Sequence, residues 1–236
     1  MHTITFQETN ISYETNEEMK QFRANLQFCG EDKKVILVTS STENEGKSMI
    51  SLELACSLAE LGKRILLVDA DMRKSVLRDR TIDVPRGMSG LSHYLSGQAT
   101  LDDVLCFSEA KKLHVIFAGR VPPNPAELLA GAKMKKFLES VRERFDYVIV
   151  DCPPIGMVAD AAMVAPCCDG CIFVLHDSFV PRKVAQGAVK AIERTGCPMI
   201  GVVLNQMNVR RKGKYYYNKY YRYYKKGYGY YKKDNE

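Results

Sequence analysis

Six short runs of apolar, largely β-branched residues punctuate the chain, at 35–38, 65–68, 115–117, 148–150, 172–175 and 200–204. Each is three to five residues long and almost purely apolar, as in Val35-Ile36-Leu37-Val38 and Ile65-Leu66-Leu67-Val68. A strand with one wet face alternates apolar and polar residues, whereas a strand covered on both faces does not. These runs therefore predict strands buried on both sides, the habit of a parallel sheet. Helical stripes lie between them. Ile50, Leu54, Leu58 and Leu61 recur along 48–61, Phe137, Leu138 and Val141 along 134–145, and Val184, Ala188, Ala191 and Ile192 along 184–194. A further helix is expected within 15–28. The alternation predicts an α/β fold, a doubly wound, mainly parallel sheet with helices on both faces and ligands at the carboxyl ends of the strands. The stretch 77–100, richer in Arg, Gly and Ser, is expected to loop out.

Composition removes several classes. With 236 residues, 46% hydrophobic and 26% charged, the chain can bury a full core and is not disordered throughout. No apolar run approaches the roughly 18 residues of a membrane helix. The start, Met1-His2-Thr3-Ile4-Thr5-Phe6, lacks the basic stretch and apolar core of a secretory signal. A soluble cytosolic chain is expected, with membrane contact made through a partner. The eight cysteines then read as buried free thiols of a reducing compartment. Cys168 and Cys171 form a C-x-x-C, but no second pair stands at a zinc-site spacing.

The phosphate chemistry is written after the first apolar run. Ser41-Thr42-Glu43-Asn44-Glu45-Gly46-Lys47-Ser48 matches a P-loop, with Ser41 where Gly is usual. A strand before it and a helix after it supply the required context. Gly46 lets the backbone approach a phosphate, and successive N–H groups from Thr42 to Met49 form an anion nest at a helix N-terminus. Lys47 would reach the β- and γ-phosphates, and the Ser48 hydroxyl would ligate Mg²⁺. The fold expectation thus sharpens to P-loop NTPase-like.

Two acidic strand ends follow. Asp69-Ala70-Asp71-Met72-Arg73 closes the second run, and Asp151-Cys152-Pro153-Pro154 closes the fourth. A carboxylate at the tip of a buried strand is unfavourable unless paired or beside a metal. Asp151 reads as the acid that holds Mg²⁺ or its water. A turn or capping role is the alternative for all three acids, and the D-x-D pattern suits turns as well. Asn205, closing the last run, reads either as an adenine contact or as a plain turn residue.

The C-terminal 28 residues, 209–236, carry a net charge of +8, and the rest of the chain −2. Ten of the thirteen tyrosines fall in this tail: Tyr215, Tyr216, Tyr217, Tyr220, Tyr221, Tyr223, Tyr224, Tyr228, Tyr230 and Tyr231. The tail has no apolar period, so a flexible segment beyond a domain of residues 1–208 is expected. Basic residues interleaved with aromatics suit single-stranded nucleic acid, an acidic membrane surface, or a set of phosphoacceptors beside an ATP site.

Together the phosphate loop, the D-x-D strand end, the Asp151 strand end, the tyrosine cluster and the stretch Gly119-Arg120-Val121-Pro122-Pro123-Asn124-Pro125-Ala126-Glu127-Leu128-Leu129 resemble the bacterial P-loop tyrosine kinases of capsule and exopolysaccharide synthesis. The likeness is to the cytoplasmic catalytic subunit of Gram-positive bacteria and covers the chain from about residue 14 onward. It implies that Lys47 and the loop amides bind ATP, that Ser48, Asp71 and Asp151 serve Mg²⁺, and that Asp69 accepts the tyrosine proton. It implies that Arg73 neutralises phosphate charge and that the ten tail tyrosines are autophosphorylated, and transfer in trans is expected because the tail starts just after Asn205 and must position many different tyrosines. It further implies a membrane-anchored adaptor that activates the kinase and recruits it to the inner face of the membrane, and a cognate tyrosine phosphatase. No nucleic-acid partner is expected.

The family's assembly motif E-x-x-R-x-x-R stands here as Glu17, Lys20 and Arg23, with Lys in an Arg position. Lys lacks the bidentate fork of Arg. A ring homo-oligomer, an octamer in the family, is the implied assembly, and a solvated amphipathic helix is the alternative. Two rival readings remain at this level. One is a partition or cell-division ATPase, whose signature Lys would occupy the position of Thr42. The other is a non-enzymatic scaffold whose tail binds polyanion.

Overall fold

The computed structural model describes residues 1–7, 12–85 and 87–207. In chain order its main elements are β1 (His2–Thr3), α1 (Tyr13–Phe28), β2 (Val35–Ser40), α2 (Lys47–Ala59), β3 (Ile65–Asp69), α3 (Leu91–Leu95), α4 (Leu101–Val104) and β4 (Cys106–Ser108). They continue with β5 (Leu113–Ile116), α5 (Pro125–Ala130), α6 (Ala132–Arg142), β6 (Tyr147–Asp151), α7 (Asp160–Val164), β7 (Gly170–His176), α8 (Arg182–Glu193) and β8 (Met199–Asn205). Every apolar run of the sequence is a strand, and Met1–Asn205 form one compact unit.

The strands make one eight-stranded sheet in the order β1-β4-β5-β3-β6-β2-β7-β8. All pairings are parallel except the β4–β5 hairpin, which is antiparallel. The run at 200–204 departs from the expectation, since β8 is an edge strand with Val202 and Leu204 exposed, and for the inner runs the absence of alternation has a clear cause. Val35, Leu37, Leu66, Val68, Val148 and Val150 enter one core with Phe137 and Val141 of α6 and Ile192 of α8. Ile36, Val38, Ile65, Leu67 and Ile149 enter the other with Leu54 and Leu58 of α2. Both faces of each central strand are dry, so both sets must be apolar.

Helix α1 lies against α2. Ser12 caps it by accepting from the Thr15 N–H at 3.2 Å. Leu26 is buried in the second core, and the Arg23 guanidinium donates to the Ser57 carbonyl at 2.6 Å and to Glu60 Oε2 at 3.3 Å.

Two further expectations need correction, and two strands are additions. The stretch 77–100 does not loop out: Leu77, Met88, Leu91 and Leu95 are buried, and the Leu91 N–H donates to the Phe117 carbonyl at 2.7 Å. Its apolar residues are spaced too irregularly to show a period, yet Leu91 and Leu95 join one core and Leu77 and Met88 the other. Strands β1 and β4 were not anticipated, because two or three residues carry no readable alternation. Leu61 lies past the end of α2 and is exposed, so the apolar stripe of that helix stops at Leu58. The tyrosine tail, 209–236, lies outside the described residues.

Candidate active site

The sheet order places the β2–α2 loop between the carboxyl ends of β6 and β7, with the end of β3 beyond β6. Two conformations make the loop possible. Asn44 and Gly46 sit at φ 63° and φ 89°, in the left-handed region that Gly enters without strain and Asn tolerates. Gly46 is the N-cap of α2, and no side chain caps that helix. The first-turn N–H groups are therefore donors without an intrahelical partner, suited to an anion.

Lys47 and Ser48 open α2, and both are buried. Lys47 Nζ donates to Asp71 Oδ2 at 2.9 Å and to Ser48 Oγ at 3.2 Å, and lies 3.9 Å from Asp151 Oδ1. Asp69 and Asp151 are register partners on β3 and β6. The Asp71 N–H donates to Asp69 Oδ1 at 3.1 Å, and the Ser75 hydroxyl donates to Asp69 Oδ2. The structure thus gathers Lys47, Ser48, Asp69, Asp71 and Asp151 at one place.

Burial sets the electrostatics. It opposes the Lys47 ammonium, but the Asp151 and Asp71 carboxylates outweigh it and hold Lys47 above the ordinary lysine value. Burial, with the neighbouring Asp151 charge, pushes Asp69 up to about 8. Asp151 is also raised by burial, against the pull of Lys47. Three buried acids face one ammonium, and Asp151 Oδ2 is buried with no hydrogen-bond partner among the described residues. An excess of buried negative charge and an orphaned carboxylate oxygen both fit a divalent cation. No three His, Cys, Asp or Glu side chains among the described residues form a metal shell of their own. That arrangement suits Mg²⁺, which takes one or two protein ligands together with phosphates and waters.

The remaining candidates are placed differently. Arg73 does not reach into this cluster: it makes a bidentate pair with Asp160 on α7, at 2.8 and 2.9 Å. Glu43 pairs with Lys74 at 2.5 Å on the surface. Glu45 is buried, and its Oε1 accepts from the Thr42 N–H at 2.6 Å. Asn205 Nδ2 donates to the Glu45 carbonyl at 2.9 Å. Met49 lies half-buried in the first turn of α2. Glu17 pairs with Lys20 at 2.7 Å along α1, while Arg23 is turned onto α2. All eight cysteines are free, but not all are buried as expected: Cys56, Cys106, Cys152, Cys171 and Cys197 are, Cys167 and Cys168 are half-buried, and Cys29, just past the end of α1, is exposed.

Sequence reasoning missed Ser51, Ser75 and Asp160. The Ser51 hydroxyl lies 2.9 Å from the Lys47 carbonyl and 3.3 Å from Asp151 Oδ1. Its spacing of four from Lys47 on a helix was the available signal. Asp160 had none, since it stands 87 residues from Arg73.

Residues 33–178 match the family model described as AAA domain. The tyrosine-protein kinase CpsD of Streptococcus agalactiae is 41% identical over 194 residues, which span 82% of this chain and 84% of that protein. The chain belongs to the bacterial P-loop tyrosine kinases of capsule synthesis. It is a protein-tyrosine kinase. A crystal structure of the chimerical protein CapA2B2 superposes on this kinase with a TM-score of 0.78 at 29% identity, covering 87% of this chain and 93% of that one. The succinoglycan biosynthesis transport protein ExoP of Rhizobium meliloti is 34% identical over 191 residues, which are 80% of the kinase but 24% of that longer protein. No helix among the kinase's described residues is long and apolar enough to cross a membrane.

Proposed function

We propose that this kinase uses Mg²⁺-ATP to phosphorylate the tyrosine cluster of its own tail, one copy acting on the tail of another, and thereby regulates capsular or exopolysaccharide polymerisation and export. We read residues 1–208 as the kinase domain and 209–236 as its substrate tail. The observation that carries the reading is the convergence of Lys47, Ser48, Asp69, Asp71 and Asp151 at the start of α2.

Each residue has a task in that chemistry. Lys47 and the loop amides from Glu43 to Met49 hold the phosphates, the Thr42 N–H being taken by Glu45, and Asn205 lies beside them as the candidate contact to the base. Ser48, Asp71 and Asp151 would hold Mg²⁺, which when bound supplies positive charge against the phosphoryl oxygens. Asp69, in its ionised form, takes the proton of the attacking tyrosine hydroxyl as the new O–P bond forms and the bond from the γ-phosphorus to the β–γ bridging oxygen breaks, ADP leaving. A phenol ionises near about 10, so a carboxylate raised by burial is a better-matched acceptor than an ordinary one. Arg73, oriented by Asp160, adds positive charge at the rim.

The partners follow from the same reading. A membrane-anchored adaptor would activate the kinase and hold it at the inner face of the membrane. The kinase-like part of ExoP, carried within a longer transport protein, supports coupling to export. A ring homo-oligomer built around Glu17, Lys20 and Arg23 would bring each tail to a neighbouring site, and a tyrosine phosphatase would reset it.

The test is phosphotyrosine formation by the purified full chain with Mg²⁺-ATP, alone and with the cytoplasmic segment of a candidate adaptor. Label on the tail, lost in K47M and in a chain ending at Val209, is the expected result. Mixing full-length K47M with active tail-less chain must still label the former if transfer is in trans. ATP hydrolysis without phosphotyrosine would return the protein to a partition-type ATPase.

A further inference from the structure

A buried carboxylate in a phosphate loop needs an explanation. The loop exists to receive anions, and a second negative charge beside them is unfavourable unless it is engaged elsewhere. Glu45 lies in the loop immediately before Gly46, and it is fully buried. Its two oxygens are spent on different elements. Oε1 accepts from the Thr42 N–H at 2.6 Å and faces Thr42 Oγ1 at 3.3 Å, closing a side-chain ring across the loop's own turn. Oε2 accepts from the His176 N–H at 3.1 Å, at the carboxyl end of β7. The backbone of the same residue is held too, by Asn205 Nδ2 on its carbonyl at 2.9 Å. His176 and Asn205 are register partners on β7 and β8, so both tethers come from one rung of the sheet.

We propose that Glu45 is a positioning residue: its carboxylate ties the phosphate loop to the last rung of β7 and β8 and so presets the loop for phosphate, without touching the nucleotide. The assignment rests on the nucleotide-site reading of this loop. A loop carrying left-handed residues at Asn44 and Gly46 has many alternatives to the binding shape, and ordering it during binding weakens affinity. Glu45 removes that ordering step in advance. Both carboxylate oxygens are needed. A glutamine has one acceptor oxygen, and its NH₂ group would face an N–H donor at Thr42 or at His176, so one tether must break.

The test compares wild type with E45Q and E45A, each as the full chain. Affinity for Mg²⁺-ADP and for Mg²⁺-pyrophosphate is measured by calorimetry, and KM is measured separately for ATP and for an acceptor tyrosine peptide. The expected result is about tenfold weaker binding of both ligands and a matching rise in KM for ATP, with KM for the peptide unchanged and the nucleotide-free thermal midpoint within a few degrees of wild type. A merely structural role would lower the midpoint and the active fraction but leave the affinity of the active fraction alone, and that outcome overturns the proposal. If neither Glu45 variant folds, N205A is read instead, since it cuts the second tether from the same rung. Loss of pyrophosphate affinity in N205A supports the tether, whereas loss of ADP affinity with pyrophosphate binding intact marks a base contact and overturns it. Wild-type protein that binds neither ligand defeats the nucleotide-site reading together with this one. Wild-type binding matched by E45Q defeats the Glu45 assignment alone.

Discussion

Lys47 Nζ stands 2.9 Å from Asp71 Oδ2, with both side chains buried, so the ammonium at the start of α2 is held by the acidic segment that follows β3. Removing one partner of a buried pair leaves the other charge uncompensated, which costs roughly 3–5 kcal/mol. K47M is expected to lose phosphotyrosine formation and to be less stable than wild type in urea unfolding. The deficit should shrink in acid, where Asp69 and Asp151, both raised by burial, accept protons. A K47M chain with wild-type stability at every pH would show that the acids do not depend on this lysine.

Asp69 gives the nucleotide-free protein a pH dependence of definite sign. Its folded value, about 8, lies above the unfolded carboxylate value. The folded state therefore binds the proton more tightly, and the stabilisation is full below the unfolded value and lost as pH rises through about 8. The thermal midpoint should fall between about pH 4 and about pH 8 and level off above that, and D69N should flatten that slope. A D69N slope equal to wild type would assign the titration elsewhere.

Ser75 tunes the same group. Its hydroxyl bond to Asp69 favours the charged form and lowers the Asp69 value against the larger effect of burial. S75A should therefore move the ascending, Asp69 limb of the pH–rate profile toward higher pH, with activity lost around neutral pH and recovered toward alkaline pH as the carboxylate forms. A limb that stays in place or shifts toward acid would separate Ser75 from the base.

The Arg73–Asp160 pair predicts an asymmetry. The Asp160 side chain is 0% exposed, whereas that of Arg73 is 42% exposed. R73M strands a buried carboxylate and should cost roughly 3–5 kcal/mol in urea unfolding. D160N frees a guanidinium that water can already reach, and should cost about 1 kcal/mol. Equal losses from the two variants would contradict the burial difference.

Tail phosphorylation should loosen assembly. Each phosphotyrosine adds about −1.5 to −2 of charge, so roughly four to six modified sites cancel the tail's +8. A tail drawn to an acidic surface of a neighbouring copy or of the adaptor would then be released. Size-exclusion with light scattering should show a smaller particle for the phosphorylated chain. Identical masses for the two forms would remove charge as the control.

Much of this protein is written locally. The apolar runs announce strands with two dry faces, Gly46-Lys47-Ser48 announces a phosphate loop, and Asp69, Asp71 and Asp151 stand at strand ends where a site must form. Those are nearest-neighbour facts: a residue's period and its motif spacing do not depend on what lies across the sheet. Other features exist only because the sheet order brings distant segments together. Arg73 meets Asp160 across 87 residues, and Glu45 meets His176 across 131. Leu77, Met88, Leu91 and Leu95 join the two cores from a segment with no period of its own, and β1 and β4 are too short to show one. Local pattern determined the elements and the chemistry at their tips. Long-range strand pairing decided which of those tips face one another, because a contact between separated residues depends on the order in which strands are laid side by side, and no local spacing records that order.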